Sequence, residues 1–542
     1  MQTAHINTYV LDHAPRLKDQ PMFGPAQLLG RIPAVYNAST LIDDVIARGG
    51  GRRPALRTAS GDISYNAFLE IVDRIAHGLV RRHGLVPGDP VLIQSPNSPE
   101  AMAAWWAVLR AGGVAVSIMP MLRPEEVAKI VSKAKVKLAL TSSDLVEGVE
   151  AARSLTGQSF DVAALDGPSG LARAMADEAE PFLPVATSRD DPAILAFTSG
   201  TTGSPKGCIQ FHRDILLICQ TFLSEVLRPT EGDVFCCTAP MAFTFGLGAS
   251  VIFPVAVGGC TALPPKPGYE ALADAIDEMG VTVLATAPTA YRVLSRMAGE
   301  RFASLRRCVS AGEHLSRETF DMWETATGLR LVDGIGSTEL MHIFISAAPN
   351  DVRPGATGKA VPGYEAAILN DALAPVSAGE VGRLAVRGAT GCRYLDDERQ
   401  KTYVQGGWNL TGDLFRQDED GYFWFVSRAD DLIVSSGYNI AAIEVEQAVL
   451  QHTAVKEVAV IGVADPERGQ ICKAFVVLTE GAHPSDALVS DIQRFTKETI
   501  APYKYPRAID FVEALPKTHT GKLKRSALKP AATAAVLQSA AS

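Results

Sequence analysis

The chain has no cysteine pair in C-x-x-C spacing. Its eight cysteines, at 208, 219, 236, 237, 260, 308, 392 and 472, form no Cys/His cluster at zinc-ligand spacing. That pattern gives no structural zinc site. The cysteines read instead as small buried apolar residues and reduced thiols, which implies a reducing, cytoplasmic home. Positive charge is not in excess either: 51 Lys and Arg stand against 60 Asp and Glu, a net charge of −9. That balance argues against a nucleic-acid partner and against a basic membrane patch, so any anionic ligand must be met by local cations. The opening MQTAHINTYVLDHAPRLKDQ lacks the apolar core of a secretory signal. One stretch, 246–265, is uncharged and long enough to raise a membrane question, but it holds four glycines and three prolines. It reads as buried strand and loop, not as a bilayer-spanning helix. Internal repeats are also missing.

At 542 residues the chain exceeds one ordinary core, so two or more domains are expected. Between about 40 and 190, short apolar runs alternate with helical patterns. PVLIQ (90–94), VAVSI (114–118) and VKLAL (136–140) read as strands, and EAMAAWWAVLRA (100–111) as a helix. That alternation predicts parallel sheets with crossover helices. PFLPVATSRDDP (181–192) reads as a linker to a second β/α unit, with strands expected at 281–285 and 329–332. After about 355, short strands and turns such as EVGRLAVRG and DGYFWFVSR predict a β-rich region. Residues 432–528 then give an α+β pattern: a helix near 442–451, the strand pair VKEVAVIGVAD and CKAFVVLTE, and a helix near 485–500. The alanine-rich end, 531–542, reads as a flexible tail.

A glycine- and hydroxyl-rich loop with one lysine, TSGTTGSPKG (198–207), follows the apolar run AILAF and precedes the helix-like DILLICQTFL. Its backbone N–H groups, hydroxyls and Lys206 suit phosphate, and strand, loop and helix in that order is a recurring nucleotide arrangement. The spacing is neither G-x-x-x-x-G-K-[ST] nor G-x-G-x-x-G. It resembles the signature loop of the adenylate-forming superfamily of acyl-CoA synthetases, luciferases and adenylation domains. Further blocks follow in the family's order: DGIGSTE (333–339), TGD (411–413), SRADD with SG (427–431, 436–437) and PKTHTGK (516–522).

The resemblance implies an α/β fold. Its large N-terminal domain, 1–429, would hold two β/α-sheet subdomains and a β-rich subdomain, followed by a small mobile α+β domain, 430–530. It also implies roles. Lys522 would be the cation at the carboxylate and α-phosphate, with Thr338 on the α-phosphate and Glu339 on Mg2+. Thr198, Ser199, Gly200, Thr201, Thr202 and Lys206 would hold the departing phosphates. Ala311, Gly312, Glu313, Asp333, Gly334, Ile335 and Gly336 would surround the adenine, Asp413 would accept the ribose hydroxyls, and Arg428 would reach ribose or phosphate. Asp430 matches the hinge of a domain rotation that serves two half-reactions. Where relatives carry an aromatic residue beside the adenine, this chain has Ile335, and Ser427 replaces the glycine before the hinge arginine.

PMAFTFGLG (240–248) corresponds to the family's acid-binding block. Phe243, Phe245 and Gly246 would make a flat apolar slot, completed by Gly336, His342 and Ile343, suited to an aromatic ring. GCRYLDDERQ and SSGYNIAAIEVE resemble benzoate-type CoA ligases, with 2-aminobenzoate the acid implied and benzoate or a hydroxybenzoate the alternatives. Gly437, Tyr438, Lys473, Lys504 and Arg507 would line the coenzyme A tunnel. The resemblance thus implies ATP, Mg2+ and coenzyme A as cofactors or co-substrates and a monomer or homodimer acting on an aromatic carboxylic acid. A carrier-protein pantetheine thiol is the alternative acceptor. A P-loop kinase or an inert nucleotide-binding module is the alternative of another class, and the absent GK[ST] argues against the kinase.

Overall fold

The computed structural model describes residues 3–24, 26–167, 170–175, 177–178, 180–198, 204–435, 438–465, 468–500, 502–517 and 523–528. Ser199, Gly200, Thr201, Thr202, Gly437, Lys522 and the tail 531–542, all singled out above, lie outside them. The chain divides into two compact units, one formed by 1–367, 385–411 and 421–423, the other by 368–384, 412–420 and 424–542.

The first unit contains two β/α sheets. One has six strands, in the order Asp161–Ala164, Leu138–Thr141, Pro90–Gln94, Val114–Ile118, Pro192–Thr198 and Lys206–Phe211. Its neighbours run parallel except the last pair. Continuous apolar runs become strands here because both faces are covered, and Pro90–Gln94 and Val114–Ile118 are buried at every position. Between them runs the helix Pro99–Arg110, started by Ser98, whose hydroxyl accepts the Ala101 N–H at 3.1 Å.

The glycine loop departs from expectation. Thr198 pairs with Lys206 in an antiparallel hairpin, so a strand, and not a helix, follows the loop. The helix His212–Ile218 begins only after that strand ends. Alternation explains the difference. Ile209 and Phe211 enter the sheet's apolar core together with Leu92, Val116 and Leu195. Lys206, Cys208 and Gln210 take the other face. A helix start therefore contributes nothing at the loop itself.

The second sheet has nine strands: Lys359–Ala360, Ile343–Ser346, Leu331–Gly336, Arg307–Ala311, Val283–Thr286, Val234–Cys237, Cys260–Ala262, Pro54–Thr58 and Gly61–Ser64. Its centre is parallel and its edges antiparallel. The uncharged stretch 246–265 forms short helical turns and the strand Cys260–Ala262. No helix among the described residues is long and apolar enough to cross a membrane. All eight cysteines are free and buried. The β-rich region is a sheet built from Tyr364–Leu369, Val381–Gly388, Trp408–Gln417, Val404–Gln405 and Phe423–Arg428.

In the second unit, Tyr438–Ala441, Leu432–Ser435, Gly469–Leu478 and Val455–Asp465 form a sheet that Ala508–Phe511 joins in parallel. The helices Ala442–Leu450 and Asp486–Thr499 contribute Val445, Val449 and Ile492 to its core, against Ile433, Val460 and Val476.

A buried ion pair ties the first unit's chain crossings together. Arg393 and Asp214 are both fully buried and 3.0 Å apart. The guanidinium lies 4.5 Å from the ring centre of Phe23 and 4.4 Å from that of Phe211. Arg393→Met removes the nearer partner and leaves the buried Asp214 carboxylate with Arg213, 3.7 Å away, and the Phe211 N–H, so a loss of about 3 kcal/mol is expected. Thermal unfolding should show a clearly lowered midpoint, largely restored by adding Asp214→Asn. A midpoint unchanged by Arg393→Met would contradict the assignment.

Candidate functional site

Parallel strands end together at one edge of the nine-stranded sheet. Arg307–Ala311 pairs with Leu331–Gly336 so that Ser310 faces Asp333 and Ala311 faces Gly334. Ala311, Gly312 and Glu313 thus emerge beside Gly334, Ile335 and Gly336, at the carboxyl ends where α/β sheets hold ligands. Gly312 turns with φ of +91°, and Glu313 accepts the Thr289 hydroxyl at 2.8 Å. Glycine is required at 334 and 336 by close approach. A Cβ at 334 would lie 2.7 Å from the Ile343 side chain, and one at 336 would lie 2.7 Å from the His342 carbonyl oxygen. Ile335 is half-buried on the strand end. Burial pushes the Asp333 carboxyl well above the ordinary carboxylate range, partly offset by the Gly334 N–H and the Ser310 hydroxyl.

Beyond Gly336 the chain reaches Thr338 and Glu339. Gln210 donates its amide to both carbonyls, at 3.0 and 3.3 Å, and so fixes this turn against the hairpin strand. The Glu339 carboxylate is buried and accepts the Tyr394 hydroxyl at 2.5 Å. Lys206 donates to the same hydroxyl oxygen at 2.9 Å and stands 3.7 Å from Glu339 Oε1. Burial and the Glu339 charge push the Tyr394 phenol far above its usual range, so it keeps its proton and donates. Among the described residues, no group of three or more His, Cys, Asp or Glu side chains could hold a metal. Mg2+ needs only one or two carboxylates when phosphate oxygens and waters complete its shell, so Glu339 fits that ion.

The candidate acid-binding block, 240–248, begins where Asn97 Oδ1 accepts the Met241 N–H at 2.8 Å. Phe243 and Phe245 are half-buried, and Gly246 packs so closely that a Cβ would lie 2.2 Å from the Pro240 carbonyl oxygen. His342 is buried among Phe222, Phe245 and Phe253, with ring centres 5.4, 5.8 and 4.6 Å away. It also closes on Gly248, where a Cβ would come within 2.4 Å of its ring. Burial pushes the His342 imidazole down to about 3, so it is neutral in the folded protein. Between Glu339 and His342, Met341 has φ of +67°, a strained value for a large side chain that ties the two positions together. Ile343 is buried opposite Gly336.

The remaining described candidates belong to the second unit. Read without the family, TGD looks like a turn; it lies instead inside the strand Trp408–Gln417, with Gly412 at φ of +80°. Arg428 donates to Asp413 at 2.9 Å, and a Cβ at 412 would lie 3.0 Å from that guanidinium. Asp430 falls in the single turn Ala429–Asp431, and Tyr438 opens the strand Tyr438–Ala441. Of the coenzyme A candidates, Lys473 pairs with Asp510 at 2.9 Å and Lys504 with Glu444 at 2.5 Å, while Arg507 donates to the Tyr505 hydroxyl at 2.9 Å. Arg525, just past the PKTHTGK block, grips half-buried Glu446 at 2.6 Å and stands 3.4 Å from Asp431.

Residues 43–393 match the family model described as AMP-binding enzyme, and residues 444–522 match the AMP-binding enzyme C-terminal domain. The chain belongs to the AMP-binding enzyme family. It is similar to an uncharacterized acyl–CoA ligase, YtcI, of Bacillus subtilis, 35% identical with 86% of this chain and 90% of that protein covered. Benzoate–CoA ligase of Thauera aromatica is 32% identical, with 92% and 97% covered. The crystal structure of the anthranilate CoA ligase AuaEII in complex with anthranoyl-AMP superposes with a TM-score of 0.87 at 32% identity, covering 94% of this chain and 99% of that one.

In this AMP-binding enzyme the motif blocks do not reveal every residue at the site. Tyr394 lies within GCRYL, quoted above only for its likeness. Its bridge to Cys208 across the sheet edge, which brings it to Glu339, is visible only in the fold. Phe222 and Phe253, which pack on His342, lie in apolar segments that read as core.

The neutral histidines set a pH dependence. Like His342, His212 is pushed down to about 3 from an ordinary value of 6.5, also by burial. Below about pH 6.5 the unfolded chain binds protons that the folded one refuses, so this contribution to stability is full above that value and is lost as pH falls toward about 3. Melting temperature measured across this range should drop on acidification, and His342→Phe should flatten the profile. A profile identical in slope would contradict a neutral buried His342.

Proposed function

We propose that the protein is an ATP- and Mg2+-dependent aryl-acid:CoA ligase, and that its acid is 2-aminobenzoate. The observation that carries this is the meeting of Lys206 and Glu339 beside Thr338 at the carboxyl edge of the parallel strands, on the segment whose His342 packs on Phe245. Its chain-long likeness to benzoate and anthranilate CoA ligases, and the words AFTFGLG, GCRYL and GYNIAA, support the aromatic acid.

The chemistry follows from charge. A carboxylate is a poor electrophile, because attack on it adds negative charge to negative charge. Its oxygen first attacks the α-phosphorus of ATP and expels pyrophosphate, leaving an aryl adenylate. The coenzyme A thiolate then attacks the carbonyl carbon and AMP leaves. Lys522 and Thr338 stabilise charge building between carboxylate and α-phosphate. Lys206, with the loop 198–202, holds the phosphates that depart. Glu339 would hold Mg2+, which would supply charge neutralisation to the phosphates. Asp413 takes the ribose hydroxyls with Arg428 beside it, and Ile335 supplies an aliphatic face for adenine near Ala311–Glu313. Phe243 and Phe245 face the ring of the acid, and neutral His342, packed on Phe245, supplies a polar wall beside it. Rotation about Asp430 exchanges Lys522 for Gly437 and Tyr438 before the thiol step, with Lys473, Lys504 and Arg507 serving coenzyme A. The eight free, buried cysteines fit a reducing, cytoplasmic setting.

Carboxylate-dependent exchange of labelled pyrophosphate into ATP, run with benzoate, 2-aminobenzoate and hydroxybenzoates, should be fastest with 2-aminobenzoate. Exchange led by benzoate would overturn the amino substituent alone, and exchange with none would overturn the ligase. Lys522→Ala should cut this exchange by about a hundredfold or more while sparing thioester formation from supplied aryl adenylate. Equal losses in both half-reactions would contradict the rotation.

A further inference from the structure

The Tyr394 hydroxyl stands between the two charged groups assigned to the phosphate end of the site. It accepts from Lys206 at 2.9 Å and donates to Glu339 at 2.5 Å, while the direct Lys206–Glu339 separation is 3.7 Å. We propose that Tyr394 is a positioning residue for Mg2+·ATP: its hydroxyl keeps Lys206 and Glu339 near each other yet out of a closed ion pair, so that each remains available to phosphate and metal. The inference rests on the assignment of those two residues made above.

Three features give the phenol this part. First, the side chain is held rigidly. Tyr394 is buried, its N–H donates to the Gln400 side chain at 2.9 Å, its backbone bridges Cys208, and its ring packs against Tyr403 at 5.8 Å. Gln400 is itself anchored by donating to the carbonyls of Asp19 and Cys392, at 2.8 and 3.1 Å. The hydroxyl oxygen therefore sits at a fixed point, whereas the four-carbon stem of Lys206 is flexible. Second, the valences match. A phenol can accept one N–H and donate one O–H, and it does both here. It uses one of three ammonium protons and one of several carboxylate lone pairs, leaving the others for ligands. Third, the alternative is costly for binding. Glu339 is buried, and a direct lysine–carboxylate contact in such surroundings is held far more strongly than at a surface. Without the hydroxyl, Lys206 has no obstacle to closing the remaining distance, and Mg2+·ATP would then have to break that pair. The lysine also lies 4.9 Å from the Tyr394 ring centre, so the ring itself supports the open position.

Tyr394→Phe removes one oxygen and keeps the packing. The test measures binding of Mn2+ with α,β-methylene-ATP, by electron paramagnetic resonance of the bound ion and by calorimetry. The dissociation constant should rise about tenfold, the loss of one hydrogen bond to a charged group, with the KM for the aryl acid and the melting temperature nearly unchanged. In a Glu339→Gln background the same substitution should add little, because the partner charge is already gone. Gln400→Ala, which loosens the backbone anchor and leaves the hydroxyl in place, should raise the constant by about threefold. A constant unchanged in both Tyr394→Phe and Gln400→Ala, or a full tenfold loss persisting beside Glu339→Gln, overturns the proposal. Failure of the unaltered enzyme to bind Mn2+ with the analogue would overturn the ligase assignment, and this inference with it. Ordinary binding that is indifferent to the substitutions would overturn this inference alone.

Discussion

The register of one hairpin governs the site. Thr198 faces Lys206, and from there alternation along Lys206–Phe211 sorts the strand into two faces. Ile209 and Phe211 lock into the apolar core of the six-stranded sheet. On the opposite face, Lys206 reaches Tyr394, Cys208 bridges Tyr394, and Gln210 fixes the carbonyls of Thr338 and Glu339. A slip by one residue would bury the lysine and expose the core. The side chains gathered around Glu339 thus depend on apolar packing on the far side of the same strand.

Placement of the charges matters more than their number. An enzyme with a net charge of −9 has to bring together a triphosphate, a carboxylate and a thiol carrying further phosphates. On the proposed assignment it would do so with a few cations, each held by a specific partner: Lys206 by a phenol, Arg428 by Asp413, Lys504 by Glu444 and Lys473 by Asp510. Arg393 is spent on architecture. Its pairing with Asp214 fixes the segment from which Tyr394 projects.

How much was legible in the sequence depends on range. Pro90–Gln94, Val114–Ile118 and Val455–Asp465 form strands with the expected bounds, because an unbroken apolar or alternating run flanked by turn residues has few other uses. The strand expected at 136–140 lies at Leu138–Thr141, since Val136 still belongs to the turn after the preceding helix. The α/β class and the family were readable from ordered motif blocks. The hairpin was not, because a lysine after a glycine loop looks the same before a strand as before a helix. Nor was Tyr394, which meets Glu339 through a pairing between segments almost two hundred residues apart in the chain. Glycines 334 and 336 carried a readable signal, but its cause, the closeness of Ile343 and His342, belongs to tertiary structure.

The central claim is that ATP activates an aromatic carboxylate here by transfer of AMP. Analysing all products of one incubation with ATP, Mg2+, coenzyme A and 2-aminobenzoate, by phosphorus NMR and mass spectrometry, tests it most directly. The account predicts AMP, pyrophosphate and the aryl-CoA thioester in equal amounts. ADP with inorganic phosphate, or AMP formed with no thioester, would contradict it.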